Sequence, residues 1–390
     1  MYQSLNAQDL ESLNDHVARF AERSIAPKFE YPERLIEDAS FINLVDAASD
    51  QGLLSSDCAD GMGLWACTED PLQLRFSCQS LREIAYVNPA LAYQLHQFSL
   101  AYYVIRELKA LKVIPESLET LTKPALSVQG HFGLGRYALA RYLLGRADAE
   151  DDALLQDYFG TGHSSYATLH ADKHWTHLLS PVMRPSSTGE QNIIQFALFS
   201  RAQLKVHSKE HSHGLNELDS YCWHASDHSQ ALSISTLTAL QSQLLYSKVL
   251  QLQWLGLSNI AAGTLRHGYY LANDYAAQRI QGGKTINQHA AVRRLLAEIK
   301  GGYDATLSLI DSVCATPIDA HSLAKVCNAR LQIHPLLCQG ANNAVQVFGG
   351  MGYMQDTGVE KVLRDCMQLR LMNGTPSELT LFLSELEAGQ

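Results

Sequence analysis

The sequence predicts an α+β chain in three parts: a helical domain over residues 1–121, a small middle β domain over 122–232 and a helical domain over 233–390. Three observations carry this. Apolar residues in the first third recur at the three- and four-residue steps of a helix. Residues 160–232 turn rich in Ser, Thr, His and Gly and hold short extended runs. From about Ser233 long helical periodicity returns. At 390 residues, 46% hydrophobic and only 18% charged, the chain can bury a core large enough for two or three domains.

Leu10, Leu13, Val17, Phe20, Ala21 and Ile25 share one face of an amphipathic helix, and Pro27 favours its end. Helical steps continue through Leu81 to Ala85 and Leu91 to Leu108, with Pro89 at the break. Gly130-x-x-Gly133-x-Gly135 reads as a turn before a helix. Arg136 to Tyr158 then reads as one helix, with Tyr137, Ala140, Leu143 and Leu144 on one side and the acidic run Glu150-Asp151-Asp152 interrupting it. The runs Ile193 to Phe199 and Leu204-Lys205-Val206 are strand candidates. Leu245, Val249, Leu252 and Leu255 lead into Ala261-Ala262-Gly263, whose small side chains permit close helix packing. Two further helices are expected, His289 to Val313 and Leu323 to Phe348, the second kinked at Pro335.

Composition narrows the function classes. A formal charge of −10 offers no broad cationic surface for nucleic acid. No window approaches the roughly 20 apolar residues of a membrane helix. Eight cysteines without paired spacing and a polar N-terminus read as a reduced, cytoplasmic protein with free thiols. His170, His174 and His177 lack thiolate or carboxylate companions and read as solvated or packed side chains, so no metal is expected.

Gln346 and the following run VFGGMGYMQDTGVEKVLRD, residues 347–365, resemble a segment of the acyl-CoA dehydrogenase family, Gln-x-x-Gly-Gly-x-Gly-Tyr/Phe and then Val-Glu-(Lys/Arg)-x-x-Arg-Asp. Gln278-Arg279-Ile280-Gln281-Gly282-Gly283-Lys284 is similar to the family's Glu-Arg-x-x-Phe-Gly-(Lys/Arg) turn, with Gly282 in place of Phe and Gln281 where Thr is common. Lys173-His174-Trp175-Thr176 resembles the family's Lys-x-Trp-Ile-Thr strand, and Phe20 to Pro27 its first helix end. The resemblance implies an N-terminal helical domain, a middle β domain and a C-terminal four-helix bundle. It also implies FAD and a homotetramer, or at least a homodimer. Arg279, Gln346, Gly349 and Gly350 would act on the FAD of a neighbouring subunit, Trp175 would pack beside the flavin, and Thr375 would join the cofactor site.

Dehydrogenation of an acyl thioester requires a carboxylate to take a proton. Where the family has Tyr-Glu-Gly-Thr, this chain has Met372-Asn373-Gly374-Thr375, and the alternative position on the first long C-terminal helix falls near Gln253. An amide is no base near neutral pH. Glu378 is expected in the first turn of a helix opened by Thr375 and Pro376, where it serves the helix dipole. The family's Thr-Glu-Pro-Gly segment is not found; residues 159–165 are shorter and unrelated, and its Leu-Gly-x-Arg becomes His213-Gly214-Leu215-Asn216. Three readings follow. One is an FAD oxidoreductase acting on CH–CH bonds of an acyl-CoA, an acyl-carrier thioester or a related substrate, passing electrons to an electron-transfer flavoprotein. Another is a flavin-dependent monooxygenase or oxidase served by a flavin reductase. The third is a catalytically silent subunit.

Overall fold

The computed structural model describes residues 6–29, 37–54, 63–115, 121, 123–127, 135–159, 167–185, 192–208, 212–224, 231–319 and 321–388. Helix α1 (Ala7–Phe20) starts at a capping box in which Asn6 accepts from the amides of Gln8 and Asp9. It runs through a π turn over Ala21–Ile25 into a 3-10 turn holding Pro27, and buries Val17, Phe20 and Ile25 as its periodicity demands. Helix α2 (Asp38–Asp50) follows. Helices α3 (Pro71–Val87) and α4 (Pro89–Ala110) break where expected: Asn88 ends the first, caps the second through Leu91 N, and is followed by Pro89 at the first helical position.

The middle of the chain holds β1 (Pro124–Leu126), α5 (Gly135–Leu143), α6 (Ala149–Tyr158), β2 (Ala167–Ala171), β3 (His177–Pro185), β4 (Asn192–Ser200), β5 (Lys205–Ser208), β6 (Asp219–His224) and β7 (Ser233–Ile234). The strands form two sheets, ordered β1-β3-β4-β7 and β2-β6-β5, with β1 parallel to β3 and the other pairs antiparallel. The Arg136–Tyr158 segment is two helices rather than one. The acidic residues open the second helix: Asp148 and Asp151 form its capping box, and three carboxylates in a first turn suit the helix dipole. Lys173-His174 is a turn rather than a strand, and Trp175 follows it. Gly130, Gly133 and residues 160–165 lie outside the described residues.

The C-terminal part is α7 (Ala239–Gln278), a short hairpin of β8 (Ile280–Gln281) and β9 (Lys284–Thr285), then α8 (Ala290–Cys314), α9 (Leu323–Phe348), α10 (Val359–Leu371) and α11 (Pro376–Glu387). Helix α7 packs on α3, α4, α8, α9 and α10 and buries more residues than any other described helix. The Arg364-Asp365 pair ties α10 to the middle of the chain. Asp365 accepts from Leu215 N at 2.6 Å and from Lys361 at 2.8 Å, and Arg364 donates to the His213 carbonyl and to Asn216. A Cβ on Gly214 would meet the Arg364 carbonyl at 2.5 Å, which is why that loop needs glycine. The seven described cysteines are free thiols, and the Sγ atoms of Cys78 on α3 and Cys314 on α8 lie 3.7 Å apart.

At the small-residue crossing, a Cβ on Gly263 would fall 2.3 Å from the backbone carbonyl of Arg82. Backbone cannot swing aside as a side-chain tip can. Gly263→Ala is therefore expected to destabilise the fold by about 1–3 kcal/mol, read as a lower urea midpoint at unchanged slope.

Candidate functional site

The loop between α10 and α11 carries the residue at the family's base position. Asn373 has φ +56° and Gly374 φ +120°, so two consecutive residues take left-handed or related backbone, which asparagine tolerates better than glutamate. The loop is fixed by donors from two helices: Trp254 Nε1 of α7 gives a 3.1 Å bond to the Asn373 carbonyl, and Arg330 of α9 donates to the Met372 carbonyl. Asn373 itself is 7% exposed.

Thr375 is committed to the helix start. Its hydroxyl accepts from Glu378 N, while Glu378 Oε2 accepts from Thr375 N and Oγ1, both at 2.8 Å. Glu378 is thus the cap of α11, as the sequence suggested. Pro376 has no amide, so this N-terminus presents few donors to a phosphate.

The other base position lies one residue from Trp254 but faces away. Gln253 is fully buried on α7, where Gln97 Nε2 of α4 donates to its Oε1 at 3.0 Å. Beside it His96 lies over Gly256, where any Cβ would clash, and accepts from Trp65 Nε1 at 3.0 Å. Burial pushes the His96 imidazole down to about 3, against the opposing pull of its Gln253 bonds. This seam between α4 and α7 is polar, neutral and closed.

Trp175 is buried, with the Arg201 guanidinium 4.6 Å over its ring and Tyr221 edge-on at 5.9 Å. A third feature escaped the sequence reading. Helix α5 lies against α11 and α7 and lodges Arg136, 1% exposed, between the Tyr158 ring and Gly374, where a Cβ would sit 3.5 Å from Arg136 Cζ. Tyr142 of the same helix bridges β4 and α7, accepting from Ile194 N at 3.1 Å and meeting Ser242 Oγ at 2.9 Å. No spacing signal marks Arg136 as special; a lone arginine at a helix start reads as solvated.

Arg279, Gln346, Gly349 and Gly350 gather at the opposite end of the bundle. The C-terminal turns of α7 and α9 meet there through stacked rings of Tyr275 and Phe348, 4.2 Å apart. Arg279 and Gln346 are exposed, Gly349 turns the chain at φ +60°, and no atom lies within 4 Å of a Cβ placed on either glycine. Ile280, Met351, Tyr353 and Met354 stand exposed around them. A surface cation beside uncovered glycine backbone fits a phosphate group presented from a neighbouring molecule. Trp175, expected beside the flavin, is buried under Arg201 in this chain, and Thr375, expected in the cofactor site, caps α11. The exposed cation and uncovered glycines suit the phosphate half of such a cofactor, and among the described residues Asn373 and Gln253, where the resemblance puts the base, carry no carboxylate.

Residues 247–381 match the family described as acyl-CoA dehydrogenase, C-terminal domain. The very long-chain specific acyl-CoA dehydrogenase of Macaca fascicularis is 31% identical over 131 residues, 33% of this chain and 20% of its own. The 3-sulfinopropanoyl-CoA desulfinase of Paraburkholderia xenovorans is 25% identical over 35% of this chain and 36% of its own. The matched regions thus span between a fifth and about a third of these curated relatives. Whole-chain overlap is found with butyryl-CoA dehydrogenase from Megasphaera elsdenii, at TM-score 0.71, 16% identity and 100% of both chains. Nitroalkane oxidase overlaps at TM-score 0.72 and 14% identity over 100% of this chain and 96% of its own. At such identities the overlaps describe the fold, and they place all three parts of this chain in one architecture. Among the described residues no helix is long and apolar enough to cross a membrane.

His96 stays neutral in the folded chain to about pH 3, whereas an unfolded histidine titrates near 6.5. Its contribution to stability is complete above pH 6.5 and is lost as pH falls from there toward 3, by up to about 1.4 kcal/mol per pH unit. His96→Gln should flatten the pH dependence of unfolding free energy between pH 6.5 and 4, measured by urea titration.

Proposed function

With the chain a member of the acyl-CoA dehydrogenase superfamily, we propose that it is an FAD-dependent oxidoreductase whose reaction on an acyl thioester or related substrate does not use the superfamily's carboxylate base. The observation that carries this reading is the exposed end of the bundle where Arg279, Gln346, Gly349 and Gly350 stand together with the stacked Tyr275 and Phe348. In a homotetramer or homodimer those four residues would hold the cofactor of the neighbouring subunit, Arg279 by charge and the glycines by letting it approach the backbone closely. FAD, when bound, supplies a hydride acceptor and, after reduction, a reactant for oxygen. Asn373 and Gln253 orient neighbours through hydrogen bonds and take no proton at neutral pH. A reaction that needs no proton removed by the protein suits such a site. Two matched proteins carry names for reactions other than acyl-CoA dehydrogenation, a desulfinase and a nitroalkane oxidase. Oxygen chemistry would draw electrons from a flavin reductase, and dehydrogenation would deliver them to an electron-transfer flavoprotein.

A second reading, a catalytically silent subunit, is favoured by Arg136 lying against Gly374 and by the closed cap between Thr375 and Glu378. The visible spectrum of the purified protein separates the readings. A yellow protein that a panel of acyl-CoAs leaves oxidised anaerobically supports the base-free oxidoreductase; bleaching by one of them would establish a dehydrogenase with another base. A colourless protein that takes up no FAD supports the silent subunit. Arg279→Ala should weaken FAD retention about tenfold or more, the loss of one charge-assisted bond. Unchanged occupancy would remove the bundle end from the cofactor site.

A further inference from the structure

Arg330 and His334 of α9 and Arg370 of α10 line a cavity of about 10 Å³ beside Pro335 and the start of α11, room for one guest the size of a water. Arg330 and His334 are 2% and 3% exposed. Arg330 donates to His334 Nε2 at 3.1 Å and to the carbonyls of Leu369 and Met372. Because His334 Nε2 accepts, its proton sits on Nδ1, which becomes a donor. That Nδ1, Arg330 Nε and Arg370 Nε are buried and have no acceptor among the described residues. Beside Arg330 stand Cys327, a buried thiol pushed up to about 12 and so uncharged at neutral pH, and the cationic Arg136. Burial, then Arg330 and Arg370, hold the His334 imidazole well below its usual range. These three side chains from two helices line one cavity, and no carboxylate is among its lining residues. A water would satisfy the hydrogen bonds and leave the buried charge uncompensated, a costly arrangement.

We propose that this cavity is a binding site for a small inorganic anion, a halide or one oxygen of an oxyanion such as phosphate, held by Arg330, His334 and Arg370. The site stands apart from the bundle end proposed for the cofactor and borders the root of the Asn373 loop. An anion bound here also steadies Arg330, and through it the Met372 carbonyl at the root of the Asn373 loop.

The test follows the thermal midpoint of the full-length protein as sodium chloride or sodium phosphate replaces sodium gluconate at constant ionic strength, gluconate being too large for the cavity. A saturable rise is expected in at least one series. A chloride response alone assigns an enclosed halide site; a phosphate response assigns an oxyanion reaching in from outside. Arg370→Gln should raise the half-saturating concentration about tenfold or more, as one charge-assisted bond is lost. Arg330→Met should abolish the response and lower the midpoint in gluconate, since the buried Leu369 and Met372 carbonyls lose their donor. Identical midpoints in all three salts, or a half-saturation unmoved by Arg370→Gln, would overturn the proposal. Arg370 is only partly buried, so that variant decides the matter even where Arg330→Met does not fold.

Discussion

Everything in this molecule is arranged around a helix that water does not reach. From Val249 to Leu265 α7 carries no charged residue and buries every side chain, so its polar groups must find partners inside the protein. Asn259 takes a bond from Arg82 and returns its own amide to the Leu255 carbonyl. Gln251 reaches Ser247 and the Asp319 carbonyl, and Trp254 reaches the Asn373 carbonyl. A carboxylate at position 253 would have to lose its charge or gain a cation, and the neutral Gln97–Gln253 pair avoids both. The amide at that position is thus sufficiently explained by burial. At Asn373 the backbone supplies an equally local reason, because φ +56° favours asparagine over glutamate.

The helical framework was legible because its signals are redundant. Asn88-Pro89 combines a cap, a fixed φ and a missing donor at one boundary, and the Thr375-Pro376-x-Glu378 start is written in the same way. The single helix expected over Arg136 to Tyr158 failed for want of one inference. Acidic residues clustered at 150–152 looked like an interruption, whereas Asp148 three residues before Asp151 is a start signal. The turn at Lys173-His174 was hidden by its likeness to a strand motif. Its true anchor, the Asp172 carboxylate accepting from His174 N, is an ordinary Asx turn that the sequence alone could have offered.

The site was legible only in part, and the division is physical. Arg279, Gln346 and the two glycines lie on a surface, where a motif's side chains point outward and their meeting follows from two parallel helix ends. The interior half depends on what fills the space between layers. Helix α5 brings Arg136 against Gly374 through packing between residues more than two hundred positions apart, and periodicity in one segment cannot report its partner in another. The arginine stacked over Trp175 lies only 26 residues further along the chain, yet no periodicity announces that contact either.

That long-range contact also sets an order of assembly during synthesis. Helix α5 is made early, and although α6 covers part of it at once, the rest of its cover belongs to α7 and to α11, the last helix described. Until residue 387 has emerged from the ribosome, Leu139, Ala140 and Tyr142 have no complete pocket to enter. The nascent middle of this protein must therefore wait for its end, exposing apolar surface for most of translation and making it a client for holding chaperones.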